Sequence, residues 1–386
     1  MTDALLTLDA PAPVFVQSVA APRKPPLPAL TGVRTLLAIN IMFFHFTPPH
    51  MGVLYPVIDN AYVFPGFFFL LSGFILAYNY ADRPTPLVKR DFWRARFARL
   101  YPIYLLSLAI SFVMLADEWH ARPHGQFWAG LVLTPLLLQG WSPALATFWN
   151  TVAWTLSCEA AFYFAFPWLI RLPWPRQPAR LIALLLGIWA LGLVPHTLYL
   201  WLNPDHLPAP ADRYSTGVWI RTLKYTPLAY ACIFLAGIVL AKLQTGLTLT
   251  RRQRALVAGA SLIVLAIFFA TAVSHVPYIL MHGGLLVPLF AALTIGLSGR
   301  NIFAAAFAWK PIEWLGQASY ALFLLHFNFI NLLRHYRVPE RLHVAALDPW
   351  ISYAAALLLA IAAMHFVEKP ARKAILRRRS PAAQAP

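Results

Sequence analysis

Apolar runs of about 17–25 residues, the length that carries an α-helix across a bilayer, recur from one end of this chain to the other. They fall at 30–49, 61–80, 99–116, 150–170, 180–201, 225–242, 255–273, 280–298, 313–333 and 350–368. The chain therefore reads as an all-α integral membrane protein, a polytopic bundle of about ten transmembrane helices. A further apolar run at 126–138 is too short to span and reads as a re-entrant or interfacial piece. Composition agrees, because only 12% of the 386 residues are charged, against about 25% in a soluble domain.

Lysine and arginine gather at the cytoplasmic ends of spans. With a cytoplasmic N-terminus and this set of runs, only Arg122, Arg213, Arg221, Lys224, Arg334, Arg337 and Arg341 of the 31 basic residues face outward. Both termini therefore read as cytoplasmic, and an odd number of crossings would spoil the asymmetry. The net charge of +17 is mostly this signal plus the tail "RKAILRRR". Charges dispersed among loops argue against a nucleic-acid-binding face. Residues 1–29 are rich in Ala and Pro and have no cationic start before an apolar run, so they read as a disordered cytoplasmic leader and not a signal peptide. The domain reading is a leader at 1–29, a transmembrane domain at 30–373 and a basic cytoplasmic tail at 374–386. Cys158 and Cys232 fall inside spans and show no metal-ligand spacing. No internal repeat is visible.

Ionisable side chains inside a span are costly, which makes them candidates for function. Arg34 and His45 share the first helix, "GVRTLLAINIMFFHF". Eleven residues make close to three turns, so both project from one face, about 16 Å apart in depth. Arg34 sits at the boundary, where it can snorkel; His45 is too deep for that. The second helix, "GFFFLLSGFILAYNY", centres Ser72 and Gly73, a pair that reads first as close helix packing. In "DFWRARFARLYP", Arg96 and Arg99 stand one turn apart. Either they clamp a phosphate or they belong to an ordinary basic inner loop anchored by Phe92 and Trp93; spacing leaves both open.

Glu159 lies mid-span in "WTLSCEAAFYF", with Thr155 and Tyr163 at i−4 and i+4 making a polar stripe. A helix–helix hydrogen bond, about 0.6–2 kcal/mol, is a poor return for so costly a group, which favours function. Neighbouring Cys158 reads as a small buried hydrophobe and not a nucleophile. In "LGQASYALFLLHF" Ser319 and His326 are seven residues apart on one face. His365 and Glu368 end the tenth helix near the cytoplasmic boundary, where Glu368 either pairs with an arginine such as Arg34 or Arg96 or makes an ordinary interfacial salt bridge. The remaining histidines read as mostly outer-loop residues, and Pro123 between His120 and His124 argues against a helical metal pair. Two groups result. His45, Glu159 and His326 lie deep; Arg34, Arg96 and Arg99 lie at the cytoplasmic mouth.

With those residues in place, the chain resembles the membrane acyltransferase 3 family, whose members O-acylate bacterial surface polysaccharides, lipids and other small acceptors. The resemblance runs from about Leu30 to Lys373 and is carried by "GVRTLLAINIMFFHF", "GFFFLLSGFILAYNY", "RFARLYPIYLL", "WTLSCEAAFYF", "LGQASYALFLLH" and "EKPARK", in that order. It implies that Arg34 and His45 are the family's first-helix Arg and catalytic His. It also implies that Arg96 and Arg99 are its donor-binding Arg-x-x-Arg pair and Glu159 the acid of its Trp-x-x-x-x-Glu stretch. The implied location is the bacterial inner membrane. The sequence departs from the family pattern at Gly66, preceded by Pro65, where relatives carry an acidic or hydroxyl residue, and at Phe323, where tyrosine is common. The chain ends soon after the tenth run, so the extracytoplasmic hydrolase-like domain of some relatives is expected to be missing.

The function expected from these residues is acyl transfer, most simply of acetyl from acetyl-CoA, to a hydroxyl of a glycan, glycolipid or other cell-surface acceptor, with no metal. His45 would act as general base or as acyl carrier, with Glu159 orienting its imidazole. Ser72, Tyr163, Ser319, His326 and Glu368 would support the site. A transporter using His45, Glu159 and His326 as a proton or substrate path is the rival reading; a non-catalytic scaffold is the third.

Overall fold

The computed structural model describes residues 24–81, 86–208 and 210–377, and among them every regular element is helical. The bundle is built from α1 (Pro28–His45), α2 (Phe64–Tyr80), α3 (Lys89–Ile110), α4 (Trp154–Leu169), α5 (Pro178–Leu202), α6 (Pro227–Gly246), α7 (Arg251–Ile267), α8 (Val287–Leu297), α9 (Lys310–His335) and α10 (Trp350–Ala363). A π-turn at Met364–Glu368 leads from α10 into a last helix, α11 (Lys369–Arg377).

Among the described residues, six helical stretches are long and apolar enough to cross a membrane. There are seven if Lys89–Ile110 and Phe112–Ala121, which meet at 57°, make one broken span. That is fewer than the crossings read from the sequence. α4 illustrates the difference: its 16 residues rise about 24 Å, short of a hydrocarbon core of about 30 Å.

The helices divide by burial. In the stretches Gly52–Tyr80 and Tyr278–Leu297 72% of the most apolar window is buried, whereas in Pro178–Leu202 and Arg251–His275 only 17% is. The latter two turn Leu186, Leu191, Val194, Ile263 and Val264 outward. An apolar face of that kind is not left to water, so α5 and α7 face lipid while α2 and α8 form the interior. α2 crosses α6 at near backbone contact: a Cβ on Gly73 would lie 2.2 Å from the Phe234 carbonyl oxygen, and one on Gly237 2.2 Å from that of Leu70. Gly73 is therefore a packing residue, as small residues in membrane helices usually are.

Polar ties draw α1, α3 and α9 together. Thr35 Oγ1 donates to the Ile312 carbonyl at 2.8 Å, and the Tyr320 hydroxyl donates to that of Leu100 at 2.7 Å. Arg94 of α3 donates to the Ile375 carbonyl of α11.

Several boundaries differ from the sequence expectation. α3 begins at Lys89, ten residues before the apolar run, so Arg96 and Arg99 ride on a continuous helix and not on a loop. α1 stops at His45 instead of continuing to residue 49; Phe46 N–H closes the last turn on Met42 O, and Pro48 and Pro49 disfavour helical backbone at the residues before them. The short run at 126–138 forms a helix at His124–Leu133 and then turns, with Trp128, Val132 and Leu136 exposed. The leader reading falls on residues 1–23, outside the described residues, apart from the few residues that precede and open α1. The tail reading does so beyond Arg377.

Candidate active site

α1 sets the frame, with Arg34 near its start and His45 at its last turn. Three cavities lie in series beside it. The first, about 40 Å³, is lined by Arg34, Phe68, Glu159, Ser319 and Tyr320 among others. The second, about 330 Å³, is lined by His45, Tyr62, Arg213, Tyr278 and His282, with further aromatic walls from Phe44, Trp154 and Tyr225. Pro65, Thr155 and Phe323 line both, and so form the neck between them. Thr151 and Phe327 are shared in turn with a third, open cavity of about 420 Å³ lined by Asp117, Glu118, Arg122, Asn328 and Asn331.

Of the predicted arginines Arg34 lines the first cavity, and Arg99 and Arg96 stand close enough to act on its Glu159. Arg34 lies in the field of Arg99, Glu159, Tyr163 and Glu368, with its Cζ 6.0 Å from the Phe68 ring centroid. Arg96 lies in the field of Tyr163, Tyr80, Arg99 and Arg372, with its Cζ 5.9 Å from the Tyr163 ring. Its Nε is buried with no hydrogen-bond partner. A buried N–H on a cation is costly to leave unpaired, and a phosphate oxygen is the partner for which a guanidinium is best shaped. Glu368 is only 6% exposed, and Arg99, Arg372 and Arg34 act on it. Arg372, within the "EKPARK" stretch, is a member of this group that the sequence reading did not single out.

The stripe predicted on α4 is present and extends further than expected. Ser72 Oγ donates to Tyr163 Oη at 3.2 Å. Tyr163, having accepted there, keeps its own O–H to donate, and the Glu159 carboxylate lies close by. Ser72 thus has a polar task while Gly73 beside it serves packing. Ser319 Oγ closes back on the Gly316 carbonyl at 2.7 Å and lines the first cavity. Cys158 Sγ, buried, reaches the Tyr225 carbonyl at 3.6 Å, as a core thiol does.

His45 is elsewhere. Its ring stands 4.9 Å from Phe327, 5.0 Å from Phe44 and 5.4 Å from His326, centroid to centroid. The groups in whose field it lies are His326 and Arg213. Glu159 instead answers to Arg34, Arg99 and Arg96. The structure therefore brings His45 together with His326, and Glu159 together with the arginines.

A second polar cluster on the His45 cavity was missed by sequence reading. Arg213 donates to Asp59 Oδ1 at 2.5 Å and to the Asp59 carbonyl at 3.2 Å, and its Cζ is 5.0 Å from the Phe44 ring. Desolvation opposes the Arg213 charge, but the hydrogen bond and charge of Asp59 outweigh it and raise its pKa. Tyr62 stacks on His282 at 5.1 Å. Tyr230 donates to the Lys224 carbonyl at 2.8 Å, so its oxygen accepts from His282 Nδ1 at 2.9 Å. That leaves His282 Nε2 to accept from Tyr278 at 2.8 Å. His282 and His196 are 5% and 0% exposed, so neither is the outer-loop histidine expected. Both fall in apolar runs of the sequence, as His45 does, and that placement is the signal that marks them.

Among the described residues there is no group of three or more His, Cys, Asp or Glu that could hold a metal ion. What the arrangement offers is a cationic, donor-rich pocket at one end of α1. The imidazole of His45 sits in an aromatic chamber at the other end, with a narrow neck between.

A family model described as an acyltransferase domain matches residues 27–367. The acyltransferase MdmB of Streptomyces mycarofaciens is 30% identical over 332 residues, covering 80% of each chain. The peptidoglycan O-acetyltransferase OatA of Listeria monocytogenes is 22% identical over 375 residues, and the O-acetyltransferase OatA of Staphylococcus aureus 21% over 381. Both alignments take in 90% of this chain but only 56% and 57% of those two proteins. No solved structure matches.

Proposed function

The chain belongs to the acyltransferase 3 family and is an acyltransferase, and on that premise we propose that it moves an acyl group, most simply acetyl, from acyl-CoA to a hydroxyl of a glycan or glycolipid. The observation that carries this reading is the serial arrangement. The cavity lined by Arg34 and Glu159, with Arg99 and Arg96 close enough to act on that carboxylate, adjoins the chamber of His45 through Pro65, Thr155 and Phe323. The arginines bind the CoA phosphates, Arg96 Nε among them. The extended pantetheine arm passes the neck and brings the thioester to His45, about 16 Å along α1 from Arg34.

His45 then takes the proton of the acceptor hydroxyl as that oxygen attacks the thioester carbonyl. The C–S bond breaks, and the proton goes on to the CoA sulfur. In a variant His45 attacks first, and the acyl group waits on the imidazole for the acceptor. Glu159, held by Tyr163, balances the arginine charges and keeps Arg34 in place. The aromatic walls and the Arg213–Asp59 pair shape the acceptor side. On this reading the bundle lies in a bacterial inner membrane, with the arginine end and both termini cytoplasmic.

The test is CoA release from radiolabelled acetyl-CoA by protein in nanodiscs, comparing wild type, His45→Ala and the double variant Arg96→Ala/Arg99→Ala. Release that vanishes with His45 and weakens with the arginines supports the assignment. Acyl-CoAs of several chain lengths that neither bind nor turn over would sink it. A transporter would move a solute without consuming thioester.

A further inference from the structure

His326 sits on α9 wholly buried. Its Nδ1 lies 2.9 Å from the Phe323 carbonyl oxygen and 3.1 Å from that of Leu322. Carbonyl oxygens only accept, so Nδ1 carries the hydrogen and Nε2 is a bare lone pair. That Nε2 is buried and has no hydrogen-bond partner. A buried acceptor left unpaired is uncommon enough to need an explanation. The polar ring beside it is His45, 5.4 Å away between centroids and tilted by 35°. Phe323, 6.3 Å from His326, and Phe327, 4.9 Å from His45, close the pair in.

We propose that His326 is the positioning residue of the reaction base: a small rotation of the His45 ring lets the unpaired Nε2 of His326 accept the N–H of His45 and so hold His45 in the one tautomer whose other nitrogen presents a lone pair to the acceptor hydroxyl. The proposal rests on the reading of His45 as the base. A neutral imidazole here does what a carboxylate does for histidine in a hydrolase triad, without a buried anion in an aromatic chamber. When His45 takes the hydroxyl proton, the new imidazolium keeps its N–H on His326 Nε2. The proton then leaves from the other His45 nitrogen to the thiolate sulfur, and His326 neither gains nor loses one. Arg213, the cation whose field reaches His45, is offset by Asp59, so it does not forbid the transient charge.

The experiment joins a kinetic and a spectroscopic readout on the full chain in nanodiscs. CoA release from acetyl-CoA is measured for wild type, His45→Ala, His326→Ala and His326→Gln, whose side-chain carbonyl can accept the same hydrogen. In parallel, ring-nitrogen NMR shifts of 15N-histidine-labelled protein report the His45 tautomer, assigned by loss of its signals in His45→Ala. The expected result is one His45 tautomer in wild type and a mixture in His326→Ala. Turnover in His326→Ala should fall about 100-fold with KM for acetyl-CoA within twofold, and His326→Gln should recover part of both losses. If His45→Ala abolishes release while His326→Ala keeps full turnover and a single tautomer, the His326 role is overturned and the base stands. If His45→Ala retains release, the base reading itself falls. Should His326→Ala not fold, wild type decides alone: a His326 protonated on Nε2, or a mixed His45, overturns the inference.

Discussion

Glu159 and Arg34 line the same cavity, whereas His45, on the same face of α1 as Arg34, lines the next. The Glu159 carboxylate therefore belongs with Arg34, Arg99 and Arg96. Removing one member of a buried charge group costs about 3–5 kcal/mol when the others are left uncompensated. Glu159→Gln should accordingly lower thermal stability and raise KM for acetyl-CoA about tenfold or more. A triad role would give the opposite pattern, a collapse of kcat at unchanged KM.

Arg96 and Arg99 should act together on the donor. Each charge-assisted contact to phosphate is worth about 1.5–3 kcal/mol, so Arg96→Ala/Arg99→Ala should raise KM for acetyl-CoA by about 100-fold or more. Dephospho-CoA thioesters, with fewer phosphate charges, should lose less. Titration of acetyl-CoA and its dephospho analogue against wild type and the double variant makes the comparison, and equal losses for the two donors would count against phosphate recognition.

Phe323 walls the neck on both sides, with its ring 5.8 Å from that of Phe68. On the proposed route the acyl group passes it to reach His45. Phe323→Ala should therefore raise the turnover of butyryl-CoA relative to acetyl-CoA by about 10-fold or more, the discrimination that one or two methylenes carry in an apolar site. An unchanged ratio would place the filter elsewhere.

The α2–α6 crossing should tolerate no side chain. With carbonyl oxygens 2.2 Å from a Cβ on Gly73 or Gly237, Gly73→Ala or Gly237→Ala should destabilise by about 1–3 kcal/mol. Melting in detergent reads this directly. Gly246→Ala, where a Cβ meets nothing within 4 Å, is the control and should melt close to wild type.

Much of this was legible in the sequence because intramembrane charge is so costly that each such residue announces itself. Arg34, Glu159 and His326 were found on that ground, and helical spacing joined Glu159 to Tyr163. What the sequence could not supply was contact across the bundle. The partnership of Ser72 with Tyr163 spans 91 residues, and no periodicity links them. The pairing of His45 with His326, and of Glu159 with the arginines, depends on how α4 and α9 are turned against α1. Arg213 and Asp59, 154 residues apart, read as loop charges until the fold sets them beside Phe44. His282 stands near one end of the run at 280–298, and only the fold buries it against Tyr62, Tyr230 and Tyr278.

The most direct measurement uses proteoliposomes with the protein in one orientation and acetyl-CoA supplied to a single face. CoA release should occur only with donor on the arginine face and should disappear in His45→Ala. Equal release with donor on either face, or release that persists without His45, would contradict a donor that enters at the arginines and reacts at the far end of α1.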